Sequence, residues 1–197
     1  MSLLLKKRSR FYRIGFSVLL LFLWSHEAVD AWSKGGSNPG LKSRVALIVD
    51  QETGEVIYEK NASDIAPIAS VTKLMTAIVI IDSGVPLLES ITIAKADRDR
   101  YKGSRSKLSI GTTLLRAEVL KLALMASENR ASAALSREFP GGKKAFVLAM
   151  NEKAEALGMT QTTFVDSTGL RPGNVSSALD LVKPVSYTHL TLPTTPY

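Results

Sequence analysis

A long apolar run at helical spacing begins at Val71. Val71, Leu74, Ile78 and Ile81 recur at helical spacing, and Met75 and Val79 widen the stripe. A helix apolar over so much of its circumference belongs at the centre of a core, and Gly84-Val85-Pro86 supplies its stop. Helical spacing returns over residues 115–126. A shorter helix is predicted over 131–139, closed by Pro140-Gly141-Gly142. Another runs over 143–157, with Val147, Met150, Ala154 and Leu157 on one face and Gly158 at its C-terminal cap. Ser176 or Ser177 is placed to cap one further helix, with Asp180 in its first turn. Upstream, residues 44–50 and 55–59 are rich in β-branched side chains and flank Thr53-Gly54, the pattern of a hairpin. Residues 91–110 are polar, basic and broken at Gly103, which predicts loops and short strands. No internal repeat is visible.

The two ends read differently from this middle. Lys6, Lys7, Arg8, Arg10 and Arg13 precede an apolar run over 14–24, about half the roughly 20 residues a spanning helix needs. Residues 1–31 are therefore expected to be a secretory signal, cleaved after Ala31. Left uncleaved, the same segment would tether the protein to the outer face of the inner membrane; after cleavage no stable span is expected. Residues 32–43, with SKGGSNPG over 33–40, form a flexible linker. A folded domain is expected over 44–183. After Lys183 the segment PVSYTHLTLPTTPY carries no Asp, Glu, Lys or Arg and is rich in Thr and Pro. It resembles translated sequencing-adapter read-through, so residues 184–197 are expected to be a tail foreign to the native protein.

Composition narrows the chemistry. The 45% hydrophobic and 22% charged content is that of an ordinary globular protein. Without residues 1–31, 20 basic and 16 acidic side chains remain, a net charge of +4. So mild a balance is a poor basis for nucleic-acid binding, and none is expected; attraction to an anionic wall polymer and plain solubility explain it equally well. There are no cysteines, so an exported chain relies on its core rather than on disulfides. The only histidines are His26 and His189, which leaves residues 32–183 with none. Ser-His-Asp and Cys-His catalysis are thereby removed, and neither a metal site nor a cofactor is expected.

A hydrolase without histidine needs another base, and Ser70-Val71-Thr72-Lys73 offers one. A hydroxyl at a helix start meets the partly positive N-terminus, and i, i+3 spacing brings the lysine to the same side. Within so apolar a helix the amine is desolvated, its pKa falls, and a neutral amine can activate the serine. The alternative is a helix-capping Ser70 with Lys73 reaching out to solvent. The same spacing recurs at Ser104 and Lys107, in a polar stretch with no helical run behind it, where a solvated loop is expected. Ser127-Glu128-Asn129, the only Ser-x-Asn in the chain, follows the 115–126 helix. It reads either as a helix end or as a second functional cluster, with Ser127 passing a proton and Asn129 binding a substrate amide.

Taken in order, PIASVTKLMTA (67–77), LKLALMASENRASAAL (120–135), FPGGKKAFVLAMNEKAEALGMTQTTFVDSTGL (139–170) and NVSSALDL (174–181) resemble the serine DD-peptidases. These are the low-molecular-mass penicillin-binding proteins, and the likeness is greatest to their D-alanyl-D-alanine endopeptidase group. The resemblance implies an α+β fold of the β-lactamase/DD-peptidase type, an antiparallel sheet packed with helices plus a helical subdomain. It places the nucleophile on Ser70, the general base on Lys73, and the second-motif residues on Ser127 and Asn129. Glu128 fits the endopeptidase group, whereas carboxypeptidase relatives more often carry Gly there. The implied activity is periplasmic cleavage of peptidoglycan cross-links, with peptide stems as substrate and β-lactams as acylating inhibitors.

Two departures qualify the likeness. Class A β-lactamases also use Ser-x-x-Lys but carry a glutamate for deacylation. The segment 164–170 has none, so efficient β-lactam hydrolysis is not expected, and Asp166 is assigned instead to a turn before Gly169. The family's third motif, Lys-Thr-Gly on a sheet strand, does not occur in this chain. That strand supplies one of two oxyanion-hole donors, and such a donor is worth about 100- to 1000-fold in rate. The 44–183 domain is accordingly expected to be partial, with its C-terminal sheet strands missing and the apolar face of the hairpin open. Two alternatives stand beside the endopeptidase: a DD-carboxypeptidase of the same family, and an inactive truncated fragment.

Overall fold

A computed structural model describes residues 40–191. The expected signal, residues 32–39 of the linker and residues 192–197 of the tail lie outside the described residues.

The first predicted helix is the axis of the fold. Residues 69–71 make one 3-10 turn, and helix α1 follows over Thr72–Asp82. Eight of its eleven residues are buried, including Met75, Ile78, Val79 and Ile80, as an apolar circumference demands. Around it lie α2 (Arg116–Met125), α3 (Asn129–Arg137), α4 (Gly142–Ala156) and α5 (Ala178–Thr191), and α1 touches all four. Removing side-chain volume at a site such as Ile80 costs about 2–5 kcal/mol, because close-packed neighbours relax only in part. In α4 the fully buried positions are Phe146, Met150 and Ala154, with Val147 and Leu157 half-buried, so the core face is rotated toward Phe146. Phe146 meets Phe139 edge-on, ring centres 5.1 Å apart. Gly158 follows α4 at φ +70, the left-handed turn a helix end favours. Ser177 caps α5 by accepting the Asp180 N–H at 3.2 Å, and that helix continues through Pro184.

The strands are short and paired in twos. β1 (Ala46–Val49) and β2 (Val56–Lys60) form the expected hairpin, antiparallel, with Leu47 opposite Glu59 and a register shift between Ile48 and Val49. Asp50 closes its turn by accepting from Thr53 N and Glu52 N, which holds its carboxyl below the usual range. Helix α5 packs on β1, yet Ile57 remains 60% exposed, so the hairpin does keep an open apolar flank. β3 (Ala66–Pro67) pairs with β6 (Val175–Ser176), and β4 (Ser90–Thr92) with β5 (Thr113–Leu115). The polar stretch after β4 is anchored by a buried ion pair. Asp97 receives Arg137 Nε at 2.8 Å and Nη2 at 3.0 Å, plus the Ala94 N–H at 2.8 Å. With both oxygens of that carboxylate engaged, the 3-10 turn Lys95–Asp97 is fixed against α3.

Candidate active site

The α2–α3 and α1 elements bring the sequence candidates to one atom. Lys73 Nζ lies 3.1 Å from Ser70 Oγ, 3.4 Å from Ser127 Oγ and 2.8 Å from Asn129 Oδ1. A fourth contact, 2.8 Å to the Thr168 carbonyl, comes from a segment the motifs did not implicate. Ser70 and Ser127 are exposed, whereas Lys73 is only 3% exposed. Two hydroxyls thus open to solvent above a sheltered amine.

The alternative role of Ser70 as a helix cap is not observed. The cap position of α1 is Val71, that of the preceding turn is Ile68, and neither end has a side-chain cap. The inserted 3-10 turn starts the regular helix two residues after Ser70, so the hydroxyl faces Lys73 instead of the first helical N–H groups. Ser127 sits between α2 and α3 at φ +50, a conformation that non-glycine residues adopt at a cost of about 1–3 kcal/mol. Glu128 then caps α3, its carboxylate accepting the Arg130 N–H at 3.0 Å, and Asn129 opens the helix. One turn therefore both joins two helices and aims two side chains at Lys73.

The Thr168 carbonyl is delivered by a turn built on Asp166, as the segment 164–170 suggested. Asp166 Oδ1 accepts the N–H groups of Thr168 and Gly169 at 2.7 Å each, and Oδ2 accepts that of Arg171 at 3.0 Å. Asn174, wholly buried, locks the turn to the helix: its Oδ1 accepts from Val165 N at 2.6 Å, and its Nδ2 donates to Thr72 Oγ1 at 3.1 Å. Thr76 Oγ1 donates to the Ser167 carbonyl at 2.8 Å, and Ser132 Oγ from α3 donates to the same oxygen at 2.5 Å. Gly169, at φ +82, completes the fit. A Cβ there would stand 1.8 Å from the Ala69 carbonyl oxygen, so only glycine lets the turn lie against the peptide entering Ser70.

Ser104 corrects the expectation of a purely solvated loop. Lys107 is exposed, but Ser104 is half-buried and its Oγ accepts from Asn129 Nδ2 at 3.1 Å. That bond orients the Asn129 amide with its oxygen toward Lys73. Ser104 is held in turn by Asp99, whose carboxylate accepts its N–H at 2.8 Å and those of Tyr101 and Lys102. Burial works against the charged Asp99, but these bonds win and hold its carboxyl well below the usual range. No pattern in the sequence marks this contact, since it joins residues 25 apart through a loop without periodicity.

Burial pushes the Lys73 amine down to about 8, opposed by the negative charges of Asp166 and Glu128. Asn129 Oδ1 and Thr168 O can only accept, so they take two N–H groups in either charge state. The remaining position lies toward the two hydroxyls. It holds a proton in the ammonium and a lone pair in the neutral amine, which is the form able to draw a proton from Ser70. Among the described residues no group of three or more His, Cys, Asp or Glu is placed to hold a metal ion.

A family profile described as D-alanyl-D-alanine carboxypeptidase, peptidase S11, matches residues 33–191. The D-alanyl-D-alanine endopeptidase of Pseudomonas aeruginosa is 50% identical over 143 residues, 73% of this chain and 46% of the relative. That of Escherichia coli is 41% identical over 178 residues, 90% of this chain and 57% of the relative. The chain thus spans about half the length of the curated relatives it matches. Among solved structures, the Streptomyces K15 DD-transpeptidase superposes with a TM-score of 0.73 at 27% identity, covering 79% of this chain and 64% of that one. Penicillin-binding protein D2 from Listeria monocytogenes, in its cefotaxime-bound form, gives 0.71 at 30% identity, covering 80% and 66%. The fold is the α+β fold of the DD-peptidases, and the chain belongs to the peptidase S11 family of serine peptidases.

Proposed function

We propose that these residues form the nucleophile-bearing part of an exported serine D-alanyl-D-alanine endopeptidase that cuts peptide cross-links in peptidoglycan. The observation that carries the reading is the convergence of Ser70, Ser127 and Asn129 on the buried Lys73 amine. Ser70 Oγ attacks the D-alanyl carbonyl while Lys73 takes its proton. The backbone N–H of Ser70 faces the developing oxyanion. Ser127 then relays a proton to the departing amine, leaving an acyl-enzyme ester that water hydrolyses to free Ser70. Asn129 holds Lys73 and presents polar atoms to the substrate amide. The same attack on a β-lactam carbonyl leaves a stable acyl-enzyme. Endopeptidase is favoured over carboxypeptidase because relatives bearing the first name are 41–50% identical, and those bearing the second 27–34%. Export to the periplasm, through the signal at 1–31, places the enzyme beside this substrate.

The test uses the intact gene product with fluorescent penicillin and a cross-linked muropeptide dimer. The expected result is a covalent label lost in Ser70→Ala and conversion of dimer to monomers. Absence of label on protein with Ser70 intact overturns the reading. Release of D-alanine from a pentapeptide monomer without dimer cleavage moves it to DD-carboxypeptidase. One observation favours a second reading for the 197 residues by themselves: no Lys-Thr-Gly stands among them. That reading is an inactive fragment, and dimer turnover by the 197-residue chain alone excludes it.

A further inference from the structure

A groove of about 720 Å³ runs away from the Lys73 cluster, between the loop around Arg98–Tyr101, helices α3 and α4, and the Asp166 turn. Asn129 and Thr168, which both touch Lys73, also line the groove, so the two sites share a wall. Its charges are unevenly committed. Three carboxylates line it, and each is consumed internally: Asp97 by Arg137, Asp99 by three backbone N–H groups, and Asp166 by the turn it builds. Five cations line it, and only Lys143 has a side-chain bond, to the Ala96 carbonyl at 3.0 Å. The other four, Arg98, Arg100, Lys144 and Arg171, are exposed and bond to nothing through their side chains among the described residues.

We infer that this groove is a subsite for an anionic peptide strand, taking the free carboxylates of the substrate stem that leads away from the scissile bond. The inference rests on the endopeptidase reading for the identity of the strand. The chemistry fits on three counts. A cross-link endopeptidase must hold two stems, and a stem ending in or branched through free carboxylates is negatively charged. Guanidinium groups form paired hydrogen bonds with carboxylates, and Lys144 adds a charge with adaptable direction. Tyr101, 61% exposed on the same wall, offers an apolar face to the backbone between those carboxylates. The Asp99 loop that carries Arg98, Arg100 and Tyr101 also holds Ser104 against Asn129. A strand seated in the groove therefore bears on the same loop that orients Asn129.

The experiment compares the intact gene product with the triple variant Arg100→Gln, Lys144→Gln, Arg171→Gln. Two cross-linked muropeptide dimers are supplied, one native and one with its free carboxyl groups amidated. The expected result is a fall of about tenfold in kcat/KM on the native dimer, carried by KM and shrinking at high salt, since exposed charge pairs are screened. The amidated dimer should be cleaved alike by both proteins, and fluorescent penicillin should acylate both at one rate. Equal loss on both dimers, or no loss on the native one, overturns the subsite. A parent protein that cleaves neither dimer sinks the endopeptidase reading instead. The subsite is then judged by calorimetric binding of a free stem tetrapeptide to Ser70→Ala protein, with and without the triple substitution. Affinity at least fivefold weaker in the substituted protein supports the groove, and equal affinity overturns it.

Discussion

Two tetrapeptides of this chain place a lysine three residues after a serine, and the fold treats them in opposite ways. Ser70 and Lys73 lie on a 3-10 turn running into a buried helix, where their spacing and the other partners of the amine set a 3.1 Å contact. Ser104 and Lys107 lie in a loop held by Asp99, with Lys107 exposed and its serine turned to Asn129. Spacing is shared; what differs is whether the lysine is removed from water and what else its amine touches. The first lysine meets two carbonyl oxygens that occupy its spare protons. The second pair contributes only its serine, and contributes it to the first pair's site.

The sharpest way to break the comparison is to remove each lysine. Lys73→Met should slow acylation by fluorescent penicillin about 100- to 10,000-fold, the range of a lost general base, with the fold retained by circular dichroism. Next comes pH. Because the neutral amine is the active form and burial sets its midpoint at about 8, acylation should rise from pH 6.5 through 8 and level off above it. A flat profile over that range would mean that Lys73 is not the base. A smaller effect is expected at Ser104. Ser104→Ala frees the Asn129 amide and should cost about three- to tenfold in acylation, the scale of one hydrogen bond, while Ser104→Thr restores most of it. Smallest of all, Lys107→Ala should leave acylation within about twofold of the parent, as surface substitutions remote from special features do.

The helical core was largely legible because period and burial coincide. The stripe from Val71 to Ile81 announced α1, and its neighbours were readable by the same rule. The four candidate residues were marked by motifs, and the fold brings Ser70, Ser127 and Asn129 within hydrogen-bond reach of Lys73. The misses share a physical cause. Thr168 enters through its carbonyl, which every residue type carries, so no letter in the sequence marks it. Ser104 reaches Asn129 across a loop whose path depends on Asp99 accepting three N–H groups. Ser70 missed the capping position because a 3-10 turn intervened, opened by Ala69 at φ +45, a local choice that periodicity does not encode. In α4 the pattern found the right helix but missed Phe146, whose edge-on partner Phe139 lies outside it.

The contact at Gly169 has a consequence for heredity. Every single-base change in a glycine codon that does not preserve glycine or end translation installs a side chain. Any side chain here begins with a Cβ that would stand 1.8 Å from the Ala69 carbonyl oxygen. In a mutational library selected for penicillin labelling, position 169 should therefore stay invariant while its neighbour Leu170, half-exposed, drifts. The lineage can vary the walls of this site, but the hinge pin behind its serine has no nearby allele.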